Sequence, residues 1–235
     1  MPYNPNYVTS LSLYIVRHGL SRANAGMEAD SIKEREDPHL AELGFRQAQC
    51  LGERLSRKAF DCIISSPLVR AVETAVPICR LQPDDGAKEI ELHPVFCEVG
   101  LSEKYEGRTF GEISEMFPEV IPAPGTEKYT GFITHTGGSA SSKERARQAL
   151  DYLTSRFTNG ENVVLVAHGG FNRYLLEAAL NIDFEAAKTD PNFFNTGVTK
   201  INFYRHGEGI FGNDVTLEYM NDHSHLAELM PDRSF

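Results

Sequence analysis

Short apolar runs alternate with amphipathic stretches along most of the chain. The apolar runs predict strands over residues 11–16, 61–65, 162–167, 198–204 and 215–220. The run at 162–167 is apolar throughout, which is typical of a strand that is buried on both faces of a parallel sheet. The last two runs surround glycine and asparagine turn signals, and this arrangement favours a pair of strands joined by a turn.

Helical patterns lie between these runs. Apolar residues within 44–55 fall on one face at helical spacing, and further helices are predicted over 143–157 and 171–180. Residues 94–142 are rich in Gly, Pro and Thr and predict loops with short helices. Strands that alternate with helices indicate an α/β fold with a mostly parallel sheet.

A further helix is predicted directly after the strand at 61–65. Ser66 has the residue type of an N-cap, and Pro67 suits the first helical position. The helix is expected to continue through Ile78.

Chain length and charge limit the classes of function. A chain of 235 residues can bury a sizeable core as one domain, and we expect a single domain over 1–235. The chain has 23 Lys and Arg against 33 Asp and Glu, so its net charge is −10. This balance disfavours nucleic acids and anionic membranes as main partners, because both require a basic surface. A local basic pocket is still compatible with it.

The sequence gives no sign of secretion or membrane insertion. The apolar run at 11–16 is too short for a signal sequence or a membrane span, and the four cysteines are scattered without C-x-x-C spacing. We therefore expect a soluble, cytoplasmic protein with reduced thiols, without a disulfide framework or a metal site. The oligomeric state is not indicated. The cysteines are Cys50, Cys62, Cys79 and Cys97.

Polar clusters follow three of the predicted strands, at 17–19, 65–70 and 168–170. Ligands of open α/β sheets bind at the carboxyl ends of the strands, so these clusters are expected to converge. Planar guanidinium groups suit phosphate or carboxylate, and each histidine is followed by a glycine that allows close backbone approach. The converging side chains are Arg17, His18, Arg70 and His168.

Other catalytic chemistries fit these clusters poorly. The chain has no G-x-S-x-G nucleophile motif, no G-x-x-x-x-G-K-[ST] phosphate loop and no zinc-ligand spacing at these positions. Phosphoryl chemistry carried out by histidine remains.

Four ordered motifs together resemble the signature of the histidine phosphatase superfamily, the phosphoglycerate-mutase-like proteins. The resemblance covers nearly the whole chain, and it implies a three-layer α/β/α sandwich with substrate-capping insertions around 20–40 and 99–142. A weaker match follows at Asn221-Asp222 and His225-Leu226. The motifs are Leu-Tyr-Ile-Val-Arg-His-Gly at 13–19 with Asn24, Asp-Pro-His-Leu-Ala-Glu-Leu-Gly at 37–44 with Gln47-Ala48, Ser-Ser-Pro-Leu at 65–68 with Arg70-Ala71 and Thr74-Ala75, and Val-Leu-Val-Ala-His-Gly-Gly at 164–170.

The resemblance implies that His18 is the nucleophile and forms a phosphohistidine. An imidazole with an ordinary pKa near 6.5 is substantially neutral at pH 7 and can attack phosphorus without a metal or an organic cofactor. Groups that would stabilise the phosphoryl oxygens, or line the phosphate site, are implied around it. These are Arg17, Arg70, His168 and the Gly169 N–H, with Ser21 and Asn24 at the lining positions.

A carboxyl group must also protonate the leaving oxygen and later activate water. In the family a glutamate of the middle segment has this role. Glu98 is the candidate, because it follows an apolar stretch where partial burial would raise a carboxyl pKa. Glu103 and Glu106 are rivals.

The sequence departs from many relatives at three places. Leu20 stands where a glutamate is common, Ala41 replaces a threonine before the helix, and Gly138-Ser139-Ala140 stands where many relatives have Gly-Glu-Ser. The first two are expected to alter local hydrogen bonding or capping. The third is expected to alter the hydrogen-bond network of the pocket.

These features favour a metal-independent phosphomonoesterase acting on a small phosphorylated substrate. A cofactor-dependent phosphoglycerate mutase is the alternative enzyme, although residues 99–107 lack the Arg/Tyr-rich segment of such relatives. A catalytically idle phospholigand-binding protein is the third hypothesis.

Several other segments have an expected role. Residues 122–138, with Tyr129, Phe132 and His135, are expected to cap the pocket. The acidic residues of 28–37 are interpreted as a solvated face, with a lid as the alternative. His206, His223 and His225 are interpreted as surface or structural residues.

Overall fold

The computed structural model describes residues 7–101, 108–126, 139–205, 208–209 and 214–230. Seven strands within these ranges form one sheet in the order β4-β3-β2-β5-β1-β6-β7. Among the strands in the described residues, β6 alone runs in the opposite direction to the rest, so the prediction of a mostly parallel sheet is confirmed. The strands are β1 (Thr9–Arg17), β2 (Cys62–Ser65), β3 (Ile90–Leu92), β4 (Val120–Pro122), β5 (Glu161–Ala167), β6 (Val198–Tyr204) and β7 (Val215–Asp222).

Helices cover both faces of the sheet. Alternating residues of β1 point to opposite faces, so Leu13 packs in the core beneath α5 and α6, and Tyr14 packs in the core beneath α2 and α3. The result is the three-layer α/β/α sandwich predicted from the sequence. The helices in the described residues are α1 (Ile32–Glu36), α2 (Glu42–Leu55), α3 (Val69–Arg80), α4 (Phe110–Met116), α5 (Ser139–Arg156) and α6 (Gly169–Leu180).

The predicted start of the helix after β2 is wrong. Helix α3 begins at Val69 with Leu68 as its N-cap, and neither Ser66 nor Pro67 belongs to it. The Val69 N–H is bound by the carboxylate of Asp37 at 2.9 Å, so a residue from a distant segment caps the helix. Ser66 is therefore free to bind another group.

Helix α1 and strands β3 and β4 were not predicted from the sequence, whereas α4 lies within 94–142, where short helices were predicted. Helix α1 lies in the acidic segment and is capped by the Ser31 side chain, which accepts the Glu34 N–H. Strands β3 and β4 have three residues each, and α4 is opened by a capping box between Thr109 and Glu112. None of the described helices is long and apolar enough to cross a membrane.

The sheet brings the ends of β2, β5 and β1 to one edge. Arg17 is paired with Ala167, and Ser65 is paired with Val166, so the next residue of each strand emerges at the same level. The His18 N–H donates to the Ala167 carbonyl at 3.0 Å. Two of the predicted polar clusters therefore follow adjacent strands, and the third follows the strand beside them.

Candidate active site

His18 lies at the carboxyl end of β1 with 3% of its surface exposed. Its Nδ1 donates to the Gly19 carbonyl at 2.6 Å, and the Arg70 Nε–H points to Nε2 at 3.4 Å. A carbonyl can only accept, so the proton lies on Nδ1 and the lone pair lies on Nε2. Burial, together with the charges of Arg70 and Arg17, holds the pKa of His18 well below its ordinary value. The ring is therefore neutral, and Nε2 is its nucleophilic nitrogen.

The glycine after His18 is required by backbone packing. A Cβ on Gly19 would lie 2.7 Å from the Gly44 carbonyl oxygen, and a Cβ on Gly44 would lie 2.1 Å from that of Leu20. The sequence predicted close approach to a ligand at Gly19, whereas in the structure this glycine packs against the start of α2. It fixes the β1–α2 connection, from which Leu20 donates its N–H to the Gln47 side chain at 2.9 Å.

His168 follows β5 and is fully buried. Its ring centroid lies 5.1 Å from that of His18, and its Nε2 lies 2.7 Å from the hydroxyl of Ser66. The Ser66 oxygen also accepts the Leu68 N–H at 3.3 Å. Burial, with the positive charge of Arg70, holds the pKa of His168 well below its ordinary value. Ser66 thus orients His168, a contact that its residue type alone did not reveal.

Three buried nitrogen atoms around His18 have no hydrogen-bond partner in the described part of the chain. Buried polar groups in folded proteins are nearly always paired, so convergent unpaired donors indicate a place for an anion. Burial lowers the pKa of Arg17, and the nearby carboxylate of Glu98 counteracts part of this lowering. The atoms are Arg17 Nε, Arg70 Nη1 and His168 Nδ1.

Glu98 enters the same space from the segment before α4. Its Oε1 accepts the N–H groups of Val99 at 2.8 Å and Phe171 at 3.0 Å. A Cβ on Gly170 would lie 2.7 Å from this oxygen, so the glycine at the start of α6 makes room for Glu98. The rivals Glu103 and Glu106 lie outside the described residues.

The backbone around Glu98 is held by Arg145, a residue of α5 that sequence reasoning did not single out. Its guanidinium donates to the carbonyls of Cys97 at 2.5 Å and Glu98 at 3.2 Å. Arg145 has 2% of its surface exposed and also lies over the ring of Phe171 at 4.9 Å. Arg145 belongs to none of the sequence motifs, so nothing in the sequence indicated its position.

The predicted lining residues Ser21 and Asn24 face the same cleft. The Ser21 hydroxyl donates to Asn24 Oδ1 at 2.9 Å and accepts the Asn24 N–H at 3.2 Å. The cleft has a volume of about 280 Å³. It is lined by Arg17, His18, Ser21, Ala23, Asn24, Arg35, Glu36, Pro38, Arg70 and Glu98.

A second lobe of about 250 Å³ shares Arg17 and Glu98 with this cleft. Gly169 lies here, and a Cβ on it would come within 3.4 Å of Arg17 Nε. Arg173 and Asp190, joined by an ion pair of 2.9 Å, also line this lobe. Arg17 and Glu98 therefore border both lobes.

The interpretation of residues 28–37 as a solvated face is wrong for part of the segment. Asp37 is fully buried, and its carboxylate lies 3.7 Å from Arg70 Nη1 and 3.2 Å from Arg108 Nη1. Glu34 is also buried and lies 3.8 Å from Arg108. The two arginines compensate the buried charge, although burial still raises the pKa of Asp37.

The remaining departures have local effects. Ala41 is the N-cap of α2 and provides no side-chain hydrogen bond, as expected for the loss of a threonine. Gly138 and the residues expected to cap the pocket, Tyr129, Phe132 and His135, lie outside the described residues. No group of three or more His, Cys, Asp or Glu side chains in the described ranges could hold a metal ion.

Comparison with known proteins places these features in one family. The model of the histidine phosphatase superfamily (branch 1) matches residues 13–212. Phosphoglycerate mutase-like protein 4 of Arabidopsis thaliana is 30% identical over 92% of this chain and 87% of its own length. Phosphoserine phosphatase 1 of Hydrogenobacter thermophilus is 30% identical over 74% of this chain and 78% of its own length.

A solved structure has the same fold. A mutant phosphoserine phosphatase from Entamoeba histolytica, crystallised with phosphoserine, is 26% identical and superimposes with a TM-score of 0.61. The alignment covers 92% of this chain and 99% of that one.

Proposed function

Since the chain belongs to the histidine phosphatase superfamily, we propose that it is a metal-independent phosphatase that hydrolyses small phosphomonoesters through a phosphohistidine at His18. One observation carries the proposal. The lone pair of a neutral, buried His18 lies on Nε2, where it faces only the long hydrogen bond from Arg70 Nε, while the ring proton is bound to the Gly19 carbonyl. Arg70 and His168 lie beside this ring, Arg17 lines the same cleft, and each has a buried nitrogen without a hydrogen-bond partner among the described residues.

In the first step Nε2 attacks phosphorus, and the bond between phosphorus and the leaving oxygen breaks. The imidazole becomes positively charged, and the hydrogen bond from Nδ1 to Gly19 stabilises that charge. Arg17, Arg70 and His168 donate to the phosphoryl oxygens, where negative charge develops. One such donor is commonly worth about 10²–10³ in rate.

Glu98 supplies the proton that the leaving oxygen needs. Both of its amide hydrogen bonds fall on Oε1, so Oε2 is the oxygen available to hold a proton. In the second step a water molecule gives a proton to Glu98 and attacks phosphorus. The bond between nitrogen and phosphorus breaks, and inorganic phosphate and neutral His18 are released.

The substrate is proposed to be a small phosphorylated metabolite with its leaving group in the lobe beside Arg173. Relatives named phosphoserine phosphatase support this size class. The proposed capping segments around 20–40 and 99–142 would enclose the substrate. A cytoplasmic location is likewise proposed, on the basis of four unpaired cysteines, three of them buried.

Acid-labile labelling tests the nucleophile. Wild-type protein incubated with a ³²P-labelled phosphomonoester should retain label that is stable in alkali and lost in acid, whereas His18→Ala should retain none. Label that survives in His18→Ala would remove His18 from this role. An unlabelled wild type that also releases no phosphate would support the idle binding protein.

A second assay separates phosphatase from mutase. Supplied with 3-phosphoglycerate, the protein should release phosphate, and addition of 2,3-bisphosphoglycerate should not produce isomerisation. Efficient isomerisation in place of phosphate release would assign the mutase activity.

A further inference from the structure

The segment at 193–197, which leads into β6, binds both residues of the Arg17–His18 pair. The Phe193 carbonyl accepts from Arg17 Nη1 at 2.5 Å, and the Asn195 side-chain amide donates to the His18 carbonyl at 2.9 Å. The backbone N–H of Thr196 donates to the Arg17 carbonyl at 2.9 Å. These contacts come from a segment outside the motif at 13–19 that contains the nucleophile.

The contact from Asn195 acts on the peptide that sets the His18 ring. The carbonyl of the His18–Gly19 peptide is held by Asn195, and its N–H is held by the Thr74 hydroxyl at 3.0 Å. This peptide leads directly to the Gly19 carbonyl, which binds His18 Nδ1 at 2.6 Å. A shift of Asn195 would therefore rotate the peptide and redirect the nucleophilic nitrogen.

Thr196 has a backbone conformation that its side chain disfavours. Its φ is 58°, in the left-handed region, where a β-branched residue is strained. The residue is fully buried. Glycine or asparagine would adopt this backbone more easily, so the presence of threonine points to its hydroxyl group.

The Thr196 hydroxyl takes part in two hydrogen bonds, and the donor of each can be assigned. It lies 2.7 Å from the Asn195 carbonyl, which can only accept, so the hydroxyl donates its proton there. It must then accept from His225 Nε2, which lies 3.0 Å away. His225 thus has its proton on Nε2.

The other side of His225 agrees with this assignment. Arg54 Nη1, which can only donate, lies 3.2 Å from His225 Nδ1. Arg54 extends from α2 and is anchored by an ion pair with the Asp222 carboxylate. Burial, followed by the charge of Arg54, lowers the pKa of His225 to about 4, so the ring is neutral at the pH at which it would act.

We propose that Arg54, His225, Thr196 and Asn195 form a relay that positions the His18 nucleophile. Directed hydrogen bonds run from Arg54 to the Asn195 backbone carbonyl, and the Asn195 side-chain amide carries the positioning on to the His18 carbonyl. His225 is then a positioning residue, and the C-terminal turn at 221–226 completes the active site without touching the substrate. The proposal rests on the proposed function of His18 and adds the groups that hold it in place.

Two substitutions at one position test the relay. Thr196→Ala removes the hydroxyl, and Thr196→Ser keeps it. We expect Thr196→Ala to lower kcat for p-nitrophenyl phosphate by about 10-fold to 100-fold, because a misaligned nucleophile slows the chemical step. KM should change much less, and Thr196→Ser should restore kcat to near the wild-type value.

A double-mutant cycle adds a readout that loss of stability cannot imitate. His225→Ala should lower kcat like Thr196→Ala, and the double variant should lose no more than either single variant. Thr154→Ala is the matched control, since it removes a hydroxyl that donates to the Leu150 carbonyl at 3.0 Å on α5. Its kcat should equal that of the wild type.

The ¹⁵N spectrum of the His18 ring tests the relay without turnover. Thr196→Ala should shift the Nδ1 and Nε2 signals, and Thr154→Ala should not. Three results would each overturn the relay: unchanged His18 signals in Thr196→Ala, an unchanged kcat of that variant, or additive losses in the double variant. A wild type without phosphatase activity would overturn the proposed function alone, since the ring signals would still report on the relay.

Discussion

At Glu98 the two carboxylate oxygens have different environments. Oε1 is fixed by two backbone N–H groups, whereas none of the described groups binds Oε2. Glutamine can keep Oε1 as an acceptor while it replaces the proton-carrying oxygen by an amide. The substitution Glu98→Gln therefore removes proton transfer and leaves the local backbone contacts in place.

We expect the effect of Glu98→Gln to depend on the leaving group. A serine alkoxide needs a proton to depart and p-nitrophenolate does not, so kcat/KM should fall roughly 10²–10⁴-fold for phosphoserine and less than about 10-fold for p-nitrophenyl phosphate. Steady-state assays with both substrates measure the difference. Glu144→Gln, at an exposed position on α5, is the control. Equal losses on both substrates would assign the proton donor elsewhere, with Glu103 and Glu106 as the next candidates.

Individual residues differ in how far the sequence reveals them. His18 and His168 were predictable because each follows an apolar strand, and the edge of a parallel sheet brings such ends together. Asp37 was not, since a carboxylate in an acidic run is ordinarily solvated. Its burial depends on Arg108, whose side chain donates to the Asp37 carbonyl at 2.6 Å from far along the chain. Such pairings exist only after the chain has folded.

At the scale of elements, α2 lacks a side chain that caps its first turn. Ala41 occupies the N-cap with φ −75° and ψ 166°, the extended conformation in which serine can accept an N–H of the first turn. The helix packs against α3 and its start contacts the loop after His18. A first turn without a side-chain cap from its N-cap residue therefore lies close to the site.

Ala41→Ser should raise the free energy of unfolding by about 1 kcal/mol, because the hydroxyl satisfies an N–H that the alanine leaves without a side-chain partner. Urea unfolding followed by circular dichroism measures the change. Ala186→Ser, at an exposed position outside the helices, serves as the control and should alter stability little. A gain of equal size in both variants, or no gain in Ala41→Ser, would contradict the capping explanation.

The longer elements were predictable and the shorter ones were not, for a physical reason. A period of 3.6 or 2 residues is visible only over several repeats, and β3, β4 and α1 are shorter than that. The predicted start of α3 was wrong for a different reason. Its cap comes from Asp37, while Ser66, which has the residue type of a cap, binds His168 instead. The residue type of Ser66 predicts a helix cap, but its side chain binds an active-site histidine and does not cap α3.

At the scale of the whole molecule, the fold buries several histidines in the neutral form. Burial is the main cause in each case, and positive neighbours add to it at the active site. The pKa values of His18 and His168 are held well below the ordinary value, and those of His93 and His225 are lowered to about 4. An acidic protein thus concentrates positive charge at one edge of its sheet and excludes further protons from it.

This burial predicts a loss of stability in mild acid. In the unfolded chain these histidines have pKa values near 6.5, so below that pH the unfolded state binds more protons than the folded state, and stability falls as pH falls. His39 does not add to this loss. Hydrogen bonding to Glu73 raises the pKa of His39, so its contribution to stability is complete below pH 6.5 and is lost as the pH rises above that value.

The free energy of unfolding, measured in urea between about pH 6.5 and pH 5, should decrease by about 1.4 kcal/mol per pH unit for each proton taken up on unfolding. His93→Asn should make this slope shallower. Asparagine can still accept the Val95 N–H that His93 now accepts at 3.1 Å, so the turn keeps its cap while one titrating group is removed. His93 also lies in none of the lobes that contain His18 or Glu98. A slope equal to that of the wild type would mean that His93 is protonated in the folded protein, and that burial does not keep it neutral.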